Sequence, residues 1–279
     1  MLKIYYEDKF EWILLNTKDV KDSINLTQEF GINFDSIKTA NSSADRLYGL
    51  EGGNLRAISV ADQKISKVIV ENVKEFDNNG FELVYLAGTD KPNNYIIGTY
   101  KDGEKGGAKY KEFYSEEPVH IATGIYYDDH YLAYTAGKKM TVISGDFPSY
   151  SNHEDKDNNA EVFETILEKD LDFAPNEIDT SRGGEYYLAT NGDQFAVADV
   201  EILNVYQYKA EASGVNWLDD GMLYSVVNGR LKVRDFDGTN KRDLAGVANY
   251  EVVITGNNRW LYYVSSNNNG LSIYREKVE

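Results

Sequence analysis

Six stretches of this chain share one grammar, and a β-hairpin that recurs at near-constant spacing leaves few folds open. They are DRLYGLEGGNLRAISV (45–60), GFELVYLAGTDKPNNYIIGTY (80–100), DHYLAYTAGKKMTVISG (129–145), GEYYLATNGDQFAVADV (184–200), GMLYSVVNGRLKVRDFDG (221–238) and RWLYYVSSNNNGLSIYRE (259–276). Each reads as a turn residue, an apolar-aromatic strand carrying a tyrosine, a Gly- or Asn-containing turn, and a strand with alternating apolar positions. With Tyr48, Tyr85, Tyr134, Tyr187, Tyr224 and Tyr262 as anchors, the spacings are 37, 49, 53, 37 and 38 residues. The two long spacings contain insertions, KDGEKGGAK (101–109) and SYSNHEDKDNNAE (149–161).

Outer-strand candidates fall between the hairpins: KVIVENV (67–73), YKEFYSE (110–116), FETILEKD (163–170) and NVYQYKA (204–210). Inner-strand candidates precede them, among them SIKTANSS (36–43), GVNWLDD (214–220) and YEVVITGNN (250–258). A repeat of about 43 residues holding four short strands predicts an all-β fold, a β-propeller of four-stranded blades forming one domain over residues 1–279. The last repeat stops after its third strand, so an N-terminal strand, FEWILLNT (10–17) or SINLTQEF (23–30), is expected to complete that blade and close the ring. Together with LKIYYE (2–7), these segments leave the blade count at six or seven. Helical periodicity is nearly absent. Its best instance, AEVFETILEKDL (160–171), has apolar residues at Val162, Phe163, Ile166 and Leu167, but its place in the repeat assigns it to a strand.

Composition narrows function more than it reveals it. The 279 residues carry 46 Asp+Glu against 29 Lys+Arg, a formal net charge of −17, which excludes nucleic acid as the main partner. With no Cys and 3 His, disulfides, thiol nucleophiles and zinc sites built on Cys or clustered His are excluded. Residues 1–16 carry Lys3, Glu7, Asp8, Lys9 and Glu11, so they contain no apolar signal core, and no apolar run approaches the length of a spanning helix.

The segment Trp217–Leu244, WLDDGMLYSVVNGRLKVRDFDGTNKRDL, resembles the repeat of the TolB-like and WD40-like propellers. In that reading Asp235, Asp237, Gly238, Thr239 and Asn240 form the outer turn, although no repeat carries the GH…WD pair of WD40 units. The run NLTQEFGINFDSIKTANSS…LYGLEGGNLRAISV is similar to the propeller region that follows PEGA domains in bacterial surface proteins, though no PEGA repeat is present. The resemblance implies a propeller fold and the extracellular or cell-surface part of a larger bacterial protein; the cytoplasm is the alternative location.

Few residues suggest chemistry. Asp155, Asp157, Asn159 and Glu161 alternate as calcium ligands can, but Ala160 and Ile166 stand where an EF-hand needs Gly and Glu, so a solvated acidic loop is expected. Asp235 and Asp237 are explained by turn chemistry. Tyr127, Asp128, Asp129 and His130 are the densest group, read as a surface turn with a half-buried His, and His120 as a packed strand residue. The pairs Tyr5–Tyr6, Tyr126–Tyr127, Tyr186–Tyr187 and Tyr262–Tyr263 should each place one ring in the core, because neighbouring strand residues face opposite sides. No G-x-S-x-G elbow or phosphate-cradling loop is present.

The sequence therefore predicts no catalytic, cofactor-binding or metal-binding residues, no cofactor, and a monomeric, noncatalytic interaction module with a protein or peptide partner. The alternatives are an extracellular carbohydrate-active propeller enzyme and a sugar-binding adhesin using exposed tyrosines.

Overall fold

The computed structural model describes residues 2–6, 9–14, 16, 19–40, 45–80, 82–146, 164–209, 214–247, 252–254, 260–267 and 270–277. Among them seven antiparallel sheets form, each from strands consecutive in sequence. The described residues divide between two units, those up to Tyr114 and those from Ser115 onward.

The first unit holds three sheets. The N-terminal one joins β1 (Leu2–Tyr6), β2 (Lys9–Leu14) and β3 (Ile24–Asn25). The second is β4 (Ser36–Thr39), β5 (Arg46–Glu51), β6 (Asn54–Ser59) and β7 (Lys64–Ile65). The third is β8 (Val73–Asn78), β9 (Glu82–Gly88), β10 (Asn94–Lys101) and β11 (Ala108–Tyr114).

The second unit holds four. Its fourth sheet is β12 (Val119–Tyr126), β13 (Asp129–Ala136), β14 (Lys139–Ser144) and β15 (Glu164–Asp170). The fifth is β16 (Glu177–Thr180), β17 (Tyr186–Asn191), β18 (Gln194–Asp199) and β19 (Asn204–Lys209). The sixth is β20 (Asn216–Trp217), β21 (Met222–Val227), β22 (Arg230–Asp235) and β23 (Arg242–Gly246). The seventh is β24 (Val252–Ile254), β25 (Trp260–Asn267) and β26 (Gly270–Lys277).

The six repeated hairpins are the second and third strands of sheets two to seven, and the six anchor tyrosines lie on the second strand of each, all buried. On the third strand the residue opposite is small in four cases: Ala57 faces Tyr48, Gly98 faces Tyr85, Thr141 faces Tyr134 and Ala198 faces Tyr187. A phenol laid flat across the sheet needs that room. Both faces of the inner strands are apolar, because each sheet shares a core with the next within its unit. One core packs sheets four and five through Ala133, Val142, Tyr187 and Ala198, and another packs sheets five and six through Tyr186, Phe195, Leu188 and Leu223.

Four expectations are corrected. FEWILLNT, offered as a strand completing the last blade, is β2, the middle strand of the N-terminal sheet, with β1 and β3 paired to its two edges. SINLTQEF is a two-residue strand followed by the helix α1 (Leu26–Phe30), whose N-cap Asn25 accepts from Gln28 N–H and whose C-cap Gly31 has φ 64°. Local capping outweighs an alternation that a strand could also satisfy. KVIVENV is not a ladder strand; the fourth strand of its sheet is β7, and Val70 makes an isolated bridge to Leu55 while Ile69 and Val70 cover the core. Tyr186 and Tyr187 are both buried, since their sheet is covered on both faces. The segment 164–170 is a strand, as the repeat required.

Candidate functional site

In an antiparallel sheet of four strands, the turns after the first and third strands lie at the same end. In the second unit this end gathers the hairpin tip Tyr127–Asp128, the turns 181–185 and 200–203 of the fifth sheet, and the turn 218–221 of the sixth. Backbone contacts weld them together. Gly184 sits at φ 79° with its Cα face against the carbonyl of Ile125, and Gly124 on β12 faces Gly184 in return. The adjacent Gly183 N–H donates to the Asp220 carboxylate. Of the two glycines in the turn SRGGEYY, Gly184 lies where β12 passes in place of a side chain, and a Cβ on Gly183 would stand 3.0 Å from the Asp220 carboxylate.

The functional side chains follow from that approach. Tyr126, last residue of β12, donates from its hydroxyl to Glu201 Oε2 at 2.8 Å. Tyr127 and Asp128 form a two-residue turn with φ 50° and 68°, the type I′ arrangement normally given to Asn-Gly. Tyr127 is 81% exposed, and its ring centre lies 4.4 Å from that of Tyr126. Behind them Tyr186 stacks on Phe236 at 4.3 Å, with Trp217 at 6.1 Å. Buried Asp199 holds the 200–203 turn by accepting from Glu201 N–H and Ile202 N–H, both at 3.0 Å.

The electrostatics are those of crowded acids. Glu185 is held above the ordinary carboxylate range by partial burial and by Asp199, Glu201 and Asp220, with the Tyr186 hydroxyl opposing. Tyr126 is pushed up first by its hydrogen bond to Glu201 and then by desolvation, and Tyr186 by desolvation and then by Glu185. Both phenols stay protonated and serve as donors. A native pKa above the unfolded one means that folded Glu185 costs stability at neutral pH, a cost that fades as pH falls towards the unfolded value. Glu185→Gln should therefore raise the melting temperature by about 1–2 °C at pH 7.5 and leave it unchanged near pH 4. Thermal unfolding of both proteins across that range checks the sign.

Of the residues singled out in the sequence, Tyr127, Asp128 and Asp129 belong to this ledge, while His130 pairs with Ile125 on the strand behind it and is half-buried. His120 lies on β12 opposite Thr135. Asp235 and Asp237 are taken up by their own turn, accepting from Asn240 Nδ2 at 2.6 Å and from Thr239 N–H at 2.9 Å. Asp155, Asp157, Asn159 and Glu161 lie outside the described residues, and Tyr5 and Tyr6 outside those whose side chains are described. Among the described residues no three His, Asp or Glu side chains converge as metal ligands, and no helix is long and apolar enough to cross a membrane. A shallow hollow of about 370 Å³ is lined by Met222, Val233, Asp235, Asn240 and Arg242. Arg234 also borders it, but strand register turns its side chain to the opposite face, over the Phe195 ring at 5.6 Å. Sequence reasoning missed Glu185, Glu201 and Asp220; the hydrogen-bond partners of Asp220 and Glu201 stand 37 and 75 residues away.

No family model matches the chain, and no curated protein matches it in sequence. Solved structures do. An oligogalacturonate lyase in complex with manganese is similar over 97% of this chain and 83% of its own, with 12% identity and a TM-score of 0.63. A chain of the mitotic checkpoint complex is similar over 96% and 84%, with 11% identity and a TM-score of 0.61. TolB from Acinetobacter baumannii is similar over 84% of this chain, which spans 59% of TolB, with 10% identity and a TM-score of 0.52. At such identities the likeness concerns the fold, and the fold these structures share with this chain is the β-propeller.

Proposed function

We propose that this chain is a noncatalytic β-propeller interaction module that binds a protein or peptide partner at the Tyr126–Tyr127 ledge. The observation that carries this reading is Tyr127 itself, an exposed phenol on a turn where both central residues hold positive φ. A tyrosine offers large contact area at small entropic cost, and backbone strain kept at an exposed aromatic points to use.

The rival reading, a carbohydrate-active site or sugar-binding platform, draws support from Glu185 being held above the usual carboxylate range beside the stacked Tyr186 and Phe236. Against it, the shifts at Tyr126 and Tyr186 carry both phenols further from neutrality, so neither is poised as a base. Glu185 would stand alone as a proton donor.

A single domain over residues 1–279, six or seven blades, closure by an N-terminal strand, a monomeric state and a place in a bacterial surface protein belong to the same proposal. They are supported by the sequence repeat, by a C-terminal sheet of three strands and by the resemblances quoted above.

The test is a pair of screens on the full chain. Thermal-shift measurements against neutral and acidic oligosaccharides, with and without calcium or manganese, should show no change, whereas a sugar at about 100 times its Kd would add about 2.7 kcal/mol, some 5–10 °C. Panning a random dodecapeptide display library should enrich binders that Tyr127→Ala abolishes. A shift of several degrees with one sugar class, or no peptide enrichment, overturns the reading.

A further inference from the structure

Three apolar side chains at the ledge stand in solvent: Tyr127, Ile202 at 58% and Leu203 at 52% exposure. They belong to two turns, 127–128 and 200–203, which the Tyr126–Glu201 hydrogen bond ties together, so they form one surface feature instead of scattered residues. Leu203 reaches its position at φ 55°, a conformation that a branched aliphatic residue adopts at a cost.

The surroundings of this patch are acidic. Asp128 and Glu201 stand in these two turns and Glu185 and Asp220 in the adjoining turns 181–185 and 218–221, with Arg182 as the basic residue among them. At the opposite end of these sheets the turns 137–138, 192–193 and 228–229 carry Lys138 and Asp193, and the segments that enter and leave the fourth sheet add Glu116, Glu117 and Asp172, with Glu117 lying against Gly137. Carboxylates therefore surround the apolar patch, on a chain whose overall charge is −17. A potential of one sign around an apolar patch repels anionic partners, accelerates encounter with cationic ones, and leaves the hold to the desolvated centre.

Resting on the module reading, we propose that this ledge docks a basic segment of a partner protein, built as an aliphatic or aromatic anchor flanked by lysines or arginines. The anchor covers Tyr127, Ile202 and Leu203, and the flanking cations meet the carboxylates. An arginine lying over the Tyr127 ring gains a cation–π contact as well.

The experiment uses the dodecapeptide library panned on the full chain, followed by synthesis of the enriched sequences and fluorescence anisotropy at 50 and 300 mM salt. Enriched peptides should pair Lys or Arg with a neighbouring Leu, Ile, Phe or Trp and bind about tenfold more weakly at the higher salt. Tyr127→Ala combined with Leu203→Ser should weaken them about thirtyfold or more at both salts. Glu201→Gln with Asp220→Asn should flatten the salt dependence, and far-UV circular dichroism confirms that each variant is folded. Enriched peptides that are neutral or acidic overturn this inference and leave the interaction module standing. Basic peptides indifferent to all four substitutions overturn the ledge as their site, and an absence of enrichment overturns both.

Discussion

Gly184→Ala should be the most damaging single methyl group in the second unit. Two independent penalties meet there. The residue sits at φ 79°, where an L side chain is strained, and a Cβ would lie 2.2 Å from the carbonyl oxygen of Ile125 and 2.6 Å from its C and N atoms. These are backbone atoms of a paired strand and have no rotamer through which to move aside. Left-handed strain accounts for about 1 kcal/mol and overpacking against fixed backbone for about 2 kcal/mol more, together a fall in melting temperature of about 6–12 °C. The control is Gly192→Ala, at φ 60° in an open turn with nothing within 4 Å of its Cβ, which should lose only the strain component. Urea unfolding of both variants separates the two contributions. If they prove equally destabilised, the close approach of the 181–185 turn to β12 is refuted.

The second large effect is expected at Gly98, in the first unit. It lies opposite Tyr85, and a Cβ there would stand 2.3 Å from the phenol Cζ and oxygen and 2.7 Å from the Ala108 carbonyl. A Cβ on Gly107, just ahead of β11, would likewise stand 2.4 Å from the phenol oxygen. Tyr85 is buried, and burial pushes its hydroxyl up to about 12, so it cannot swing into solvent without exposing the core. Gly98→Ala should cost about 3 kcal/mol, and Tyr85→Leu about 2 kcal/mol through the cavity left behind. In the double variant the added methyl meets a vacated site, so the combined loss should fall short of the sum by at least about 1 kcal/mol. Strict additivity in chemical denaturation would show that ring and glycine are not in contact.

These two glycines also mark what the sequence made legible. The repeat was readable because its signal is local: a tyrosine, a turn and an alternating strand lie within about 16 residues and recur six times. Every anchor tyrosine accordingly occupies the same strand of its sheet. Outer strands were less readable, because a short edge segment such as 66–70 can follow its neighbour through single hydrogen bonds without forming a ladder. The helix at 26–30 hid in an alternating pattern and was decided by Asn25 and Gly31 at its ends.

Half of the ledge was visible as Tyr127, Asp128 and Asp129. The other half was not, since Glu201 meets Tyr126 only once two sheets have packed, and no periodicity links positions 75 residues apart. A usable signal did exist. Two adjacent glycines ahead of Glu185 mark a close backbone passage, and the Asp and Glu residues at 199, 201, 219 and 220 all follow strands whose turns point to one end.

Every described ladder joins strands adjacent in sequence. On the ribosome, a sheet can pair as soon as its own forty-odd residues have emerged, without waiting for a distant partner. Yet only Tyr187, in the core shared with the sheet before, finds its cover ready; Phe195, in the core shared with the sheet after, gains its full burial only when the next repeat arrives. Synthesis order and stability are therefore offset by one repeat. The most recently released sheet is always the adhesive one, and a pause in translation just after a hairpin would leave one apolar face of fresh sheet waiting for cover.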